Sequence, residues 1–362
     1  MPVGSPEPHP GLTAARAASA VGPGPDADAL RRAYLELLKL SLCDLAGTST
    51  GSVGRMEDGV VASRELVDDQ LRLRAAGMDW PLQGLTMVGL NRLDDLQSCA
   101  ESIVRDGVEG DAIEAGAWRG GASILLRATL DSLGDDRTVW VADSFQGFPA
   151  EDEAGHHRDQ WSVIDYLGVS LEEVQANFAR MGCERGVRFL PGFFEETLPG
   201  LSDRRWALVR LDGDSYDATL LTLNSLYPGL SAGGYLIVDD YGALEECRQA
   251  VDEFRRAHDI TEPLEQIDWT GVRWRRESEA PIAAPDAPAP GPSANGRSAA
   301  RAVPRPPDAH VPTFQELGLQ REAEALRERL AAAEAEIERL TGSPVAAPKA
   351  WLRRRLDRRR AR

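Results

Sequence analysis

From residue 110 to residue 276 the chain repeats one pattern: a short apolar run, an acidic or glycine-rich end, then a helical stretch. This alternation is the signature of β-α-β units and commits the segment to an α/β fold with a mainly parallel sheet. Strands are expected at 111–114, 138–143, 187–190, 206–211 and 235–239, with a weaker pair at 265–267 and 272–275. Helices are expected at 122–132, 171–180, 217–226 and 244–258. In open sheets of this kind ligands sit at the carboxyl ends of the strands, which is where the acids and glycines fall.

The flanking regions read differently. Residues 1–26 are rich in Pro, Gly and Ala and have too little large apolar side chain to offset ordering entropy, so a disordered leader is expected. In the region 27–109, a helix capped at Asp28 runs to about residue 45, with Leu30, Tyr34, Leu37, Leu38, Lys39 and Leu42 at near-helical spacing. Further helices are expected at 60–76 and 91–106, separated by the Pro-interrupted 79–89. After 276 comes an Ala/Pro linker, 277–312, followed by a helix over 313–341. There Leu319, Ala323, Leu326, Leu330, Ala333, Ile337 and Leu340 form a heptad seam of about three repeats, which favours a coiled-coil partner or a homo-oligomer over a solitary, fraying helix.

Charge divides the chain in the same way. The formal net charge is -17, which argues against a body that grips nucleic acid through its phosphates. The tail 342–362 carries Lys349 and seven arginines beside Trp351, Leu352 and Leu356, so an anionic surface belongs there, although a solvated charge run is the commoner outcome. No apolar run reaches the ~18 residues of a membrane span. Cys43, Cys99, Cys183 and Cys247 lack metal-binding or redox spacing and read as small buried apolar groups in a reduced, cytoplasmic protein.

Three motifs carry the chemistry. The first strand runs into Glu114-Ala115-Gly116-Ala117-Trp118, with Gly120 and Gly121 opening the next helix. Trp118 occupies the place where a dinucleotide fold needs a glycine for a pyrophosphate, and Glu114 would repel phosphate. Acid and glycine turn together suit a ligand with an amino acid part and no phosphate, such as S-adenosylmethionine. The second strand ends at Asp143, positioned to accept both hydroxyls of a ribose and followed by Ser144-Phe145-Gln146-Gly147. At the third place, Asp212 and Asp214 end one strand while Asp239 and Asp240 end another. Four converging carboxylates repel one another unless a cation compensates, and oxygen-only ligation points to Mg²⁺. His156 and His157 read as a surface-loop pair.

The segment from Met78 to Arg276 resembles the macrocin O-methyltransferase family. The likeness rests on DWP with TMVG, EAGAWRGG, VADSFQGFP, VSLEEVQANFAR, VRFLPGFFEETLP, LDGDSYDATL, GGYLIVDDYGALEECRQAVDEFR and IDWTGVRWRR. The resemblance implies a class I S-adenosylmethionine methyltransferase (Rossmann-like) fold under an N-terminal helical lid, and methyl transfer to a sugar hydroxyl. It puts the donor against Thr86, Met87, residues 114–118, residues 143–147 and Phe193, puts Mg²⁺ on Asp212, Asp239 and Asp240, and makes Asp214 the proton acceptor. The roles of ligand and base within Asp212-Gly213-Asp214 stay open. A catechol or phenol acceptor would suit the same aspartates, and an inactive tethering protein is the rival from another class; a nicotinamide oxidoreductase is disfavoured by Trp118 and the acid cluster.

Overall fold

The computed structural model describes residues 26–53, 63–66, 68–148 and 165–278. The leader, His156 and His157, most of the linker, the heptad seam and the basic tail lie outside the described residues.

Seven strands form one sheet: β3 (Asp111–Ala115), β4 (Val139–Asp143), β5 (Val187–Pro191), β6 (Trp206–Leu211), β7 (Leu230–Val238), β8 (Glu265–Gln266) and β9 (Val272–Arg275). Their order is β5-β4-β3-β6-β7-β9-β8. The first five run parallel, and β9 lies antiparallel to both β7 and β8. The chain moves outward from β3 to β5 and then returns to β6 beside β3. This reversal opens a crevice at the carboxyl ends of β3 and β6, so topology alone fixes where a ligand enters.

Helices cover both faces. On one side α1 (Ala27–Leu42), α3 (Gly89–Arg105), α4 (Gly121–Ser132) and α5 (Leu171–Met181) bury Leu35, Leu93, Leu125 and Phe178 against Ala112, Val141 and Leu208 of the sheet. On the other, α7 (Tyr216–Leu226) and α8 (Glu245–Ala257) bury Leu223, Val251 and Phe254 against Ile113, Val209 and Leu236. Consecutive strand residues such as Ala112 and Ile113 enter opposite cores, the two-sided burial of a parallel sheet. The four cysteines are free and buried, and burial pushes the Cys43 and Cys247 thiols up to about 12, so they act as apolar core. No described helix is long and apolar enough to cross a membrane.

The expected strands and helices of 110–276 appear within a few residues of their expected bounds, except that β7 starts earlier, at Leu230. The N-terminal region departs further. Asp26, not Asp28, caps α1, accepting from the Ala29 amide at 2.6 Å. The inward face of α1 is Leu35, Leu38 and Leu42, whereas Leu30, Tyr34 and Leu37 are exposed. The helix expected at 60–76 is instead β2 (Ser63–Glu65) followed by α2 (Asp68–Ala75). β2 pairs antiparallel with β1 (Gly51–Val53), and the Val53 amide donates to the Trp80 carbonyl at 2.8 Å. The buried Arg74 explains why tertiary contacts override helix propensity here. It donates to Asp79 Oδ2 (2.5 Å), Thr50 Oγ1 (2.9 Å), the Gly51 carbonyl (2.7 Å) and the Cys43 carbonyl (3.1 Å), so one guanidinium fixes the end of α1, the hairpin and the 79–82 segment together.

Trp206 starts β6 fully buried, edge-on to Trp140 at 6.0 Å. Trp206→Ala removes one of three buried tryptophans in that core and should cost about 3–5 kcal/mol, read as a lower midpoint in urea unfolding.

Candidate active site

A cavity opens at the crevice, lined from four directions. The turn after β3 and the start of α4 supply Glu114, Gly116, Ala117, Trp118 and Ala122. The loops after β4 and β5 supply Asp143, Ser144, Gly147, Phe148 and Phe193. The ends of β6 and β7 supply Arg210, Asp212, Asp214, Asp239 and Asp240, with Trp269 and Thr270 from the loop before β9. Residues 77–92 close the remaining side through Gly77, Trp80, Thr86, Met87, Val88 and Arg92.

The donor-side turn is a strained, close-fitting backbone. Gly116 has φ +92°, and a Cβ there would stand 1.9 Å from the Asp212 carbonyl oxygen, so the β3 and β6 ends approach only because this residue is glycine. Trp118, Phe145 and Asp214 have φ of +49°, +54° and +53°, and all three belong to loops around the cavity. Strain of this kind, about 1–3 kcal/mol per residue, persists where surrounding contacts over-determine it. Asp143 is one such contact: Oδ2 accepts from the Ala117 and Trp118 amides (2.8 and 3.1 Å) and Oδ1 from the Phe145 amide (2.9 Å). This carboxylate therefore ties two loops together as well as facing the cavity.

Arg119 latches the opposing segment onto the same turn. Its Nη1 donates to the carbonyls of Gly84 (3.0 Å) and Leu82 (3.1 Å), and its guanidinium lies 4.2 Å from the Trp118 ring and 5.0 Å from Tyr166. Tyr166 stacks on Trp80 at 5.6 Å and donates its hydroxyl to the Pro81 carbonyl.

On the acid side, oxygens of Asp212, Asp214 and Asp240 lie within 4.8 Å of one another. Burial and the neighbouring Asp212 carboxylate push Asp214 up to about 7. Burial together with Asp214, Asp212 and Asp239 pushes Asp240 well above the usual carboxylate range, and burial with Asp239 raises Asp212. Asp240 Oδ2 is buried without a hydrogen-bond partner. Asp239 is placed differently from the other three. Its two oxygens accept from Arg210 Nη2 and Arg92 Nη1. Arg92 also donates to Asp268 Oδ2 (3.1 Å) and to the Gly77 carbonyl (3.2 Å).

Glu114 is buried, and its oxygens accept from Ser123 Oγ and Arg210 Nη1; burial pushes its carboxyl up to about 7. Thr86, Met87, Gly116, Ala117, Trp118, Asp143, Ser144, Gly147 and Phe193 line the cavity as well. Ala115, Phe145 and Gln146 stand off it: Ala115 packs into the sheet core, Phe145 meets Phe189 at 6.3 Å, and Gln146 turns back to the Ser144 carbonyl at 3.5 Å. Sequence reasoning missed Arg92, Arg119, Arg210, Trp80, Tyr166 and Trp269. Only Arg210 left a local signal, a charge inside the otherwise apolar strand WALVRL.

A seven-stranded sheet with this strand order and a glycine turn at the first parallel strand defines the class I methyltransferase fold. Residues 52–276 match the macrocin-O-methyltransferase (TylF) family model. The chain belongs to that family and is an O-methyltransferase. It is 45% identical over 251 residues to the 8-demethyl-8-(2,3-dimethoxy-alpha-L-rhamnosyl)-tetracenomycin-C 4'-O-methyltransferase of Streptomyces olivaceus, covering 68% of this chain and 93% of the relative. It is 43% identical over 253 residues to the mycinamicin III 3''-O-methyltransferase of Micromonospora griseorubida, covering 68% and 96%. Among solved structures, the O-methyltransferase NovP superposes with a TM-score of 0.60 at 39% identity, covering 68% of this chain and all of that one.

Two substitutions test these contacts. Arg119→Ala releases the 82–84 carbonyls and should cost about 1–3 kcal/mol, the loss of one or two charge-assisted hydrogen bonds, read as a lower midpoint in urea unfolding. Gly116→Ala should lower the melting temperature, because the Cβ collides with backbone.

Proposed function

We propose that the chain transfers a methyl group from S-adenosylmethionine to a sugar hydroxyl of a glycosylated natural product, with Mg²⁺ on the acid cluster. The observation that carries this reading is the convergence of Asp212, Asp214 and Asp240 beside the glycine turn at Gly116. The donor set fits a hard divalent ion: every converging atom is a carboxylate oxygen, and Asp240 Oδ2 is buried and unpartnered. A relative whose substrate name contains a rhamnosyl group supports the sugar.

In this reading Asp212 and Asp240 hold the ion, which when bound supplies Lewis-acid polarisation of an alcohol. Asp214, in the same oxygen group, accepts the hydroxyl proton at its carboxylate; an alcohol is far too weak an acid to ionise alone near pH 7. Asp239, expected from the resemblance as a third ligand of the ion, has both oxygens held by arginine and is assigned the role of an anchor. Gly116 and the Ala117–Trp118 turn leave room for the donor's amino acid part, Asp143 faces its ribose, and Phe193 offers an apolar face to its adenine. Residues 80–88, latched by Arg119, exclude water from the reacting atoms.

The assay is methyl transfer from labelled donor, with Mg²⁺ or a chelator, against a panel of glycosylated natural products. Asp214→Asn should lower kcat by about 10²–10⁴-fold with little change in the donor's KM, the usual contribution of a general base. Asp240→Asn should abolish the Mg²⁺ response. Full turnover in excess chelator would sink the ion's part.

A second test needs no turnover. In ion-free protein Asp214, Asp240 and Glu114 carry raised folded-state pKa values, so each favours its protonated form on folding. Their contribution to stability is present at low pH and lost as pH rises through about 7. The melting temperature of ion-free protein should fall between about pH 5.5 and pH 8, and saturating Mg²⁺ should remove most of that fall. A profile that Mg²⁺ leaves unaltered would contradict the assignment.

A further inference from the structure

Arg210 touches both halves of the cavity. It sits on β6, two residues before Asp212, so both side chains leave the same face of the sheet. In register it faces Glu114 of β3 on one side and Ile237 of β7, two residues before Asp239, on the other. Its Nη1 donates to Glu114 Oε1, and its Nη2 is shared between Asp239 Oδ1 and Asp212 Oδ2, the latter at 3.1 Å. The residue is only 3% exposed. Burial works against its charge, but Asp239, Asp212 and Glu114 outweigh that and hold the guanidinium protonated.

We propose that Arg210 is a positioning residue that couples the donor half of the cavity to the acid cluster, so that a ligand in one half tightens the other. This rests on the preceding reading that the donor lies against Glu114 and a divalent ion on Asp212 and Asp240. Three carboxylates on three neighbouring strands share one rigid fork. A cation that engages Asp212 competes with Nη2 for that carboxylate and leaves the nitrogen to Asp239 alone. The fork then serves two partners instead of three, and Glu114 is fixed where the donor meets it. The effect is reciprocal, because a coupling free energy belongs to both ligands equally. Lysine keeps the charge but not the planar span, so it neutralises the acids without joining the two halves.

The experiment measures S-adenosylhomocysteine affinity by calorimetry with and without saturating Mn²⁺, and Mn²⁺ affinity by electron paramagnetic resonance with and without S-adenosylhomocysteine. Wild-type full chain, Arg210→Lys and Glu114→Gln are compared, each checked for native circular dichroism. The wild type should show each ligand tightening the other at least fivefold. Arg210→Lys should reduce that factor below twofold, which a residue serving charge balance alone would not do. Glu114→Gln, which keeps Arg210 and removes its donor-side carboxylate charge, should reduce it likewise and stands in if the lysine variant does not fold. A fivefold factor that survives in either folded variant, or a wild type that binds both ligands independently, overturns the coupling alone. A wild type that binds neither ligand overturns the site assignment and the coupling with it.

Discussion

Everything at the centre of this protein answers to the crowding of negative charge where three parallel strands end side by side. Glu114, Asp212, Asp214, Asp239 and Asp240, with Asp268 behind them, face two buried guanidinium groups, Arg92 and Arg210. Buried carboxylates are tolerated only when paired or neutralised. The arginines take up Asp239 completely and Glu114 in part, yet leave Asp214 and Asp240 without a cation. The remaining deficit is where the raised carboxyl groups lie.

The same crowding explains the backbone. Asp212 reaches the cavity because the β3 turn passes almost through it, which only Gly116 permits. Asp214 then turns back at positive φ, while Trp118 and Phe145 adopt the same unfavourable region across the crevice. Asp143 accepts amides from both of those loops, so this cavity-lining acid also offsets local strain. Structure and site are not separable here. Arg119, at the end of the strained turn, in turn recruits the 82–84 carbonyls and closes the cavity from the N-terminal side.

The parallel sheet was legible because its strands are mainly apolar and punctuated by acids and glycines, a local signal. The β1–β2 hairpin was not, because the pairing of Gly51 with Glu65 and three of the four bonds of Arg74 are decided by partners distant in sequence. Site residues followed the same division. Asp143 and the four aspartates at 212–240 could be read from strand ends, but the capture of Asp239 by Arg92 needed a contact across 147 positions. Likewise, near-helical spacing grouped Leu30, Tyr34 and Leu37 with Leu38 and Leu42, and only packing against α3 and α4 buries Leu35, Leu38 and Leu42 and leaves the first three exposed.

Two arginines seize Asp239 because it follows directly on β7, beside β6 and below α3. β7 ends at Val238, so Asp239 and Asp240 open the loop after it. Asp239 shares the side of Arg210, which lies on the adjacent strand with its diagonal partner two positions along, and α3 brings Arg92 to that side from above. Asp240 lies with Asp212 and Asp214 instead. The DD pair thus divides its labour: one carboxylate anchors the sheet to α3, and the next keeps a buried oxygen without a hydrogen-bond partner.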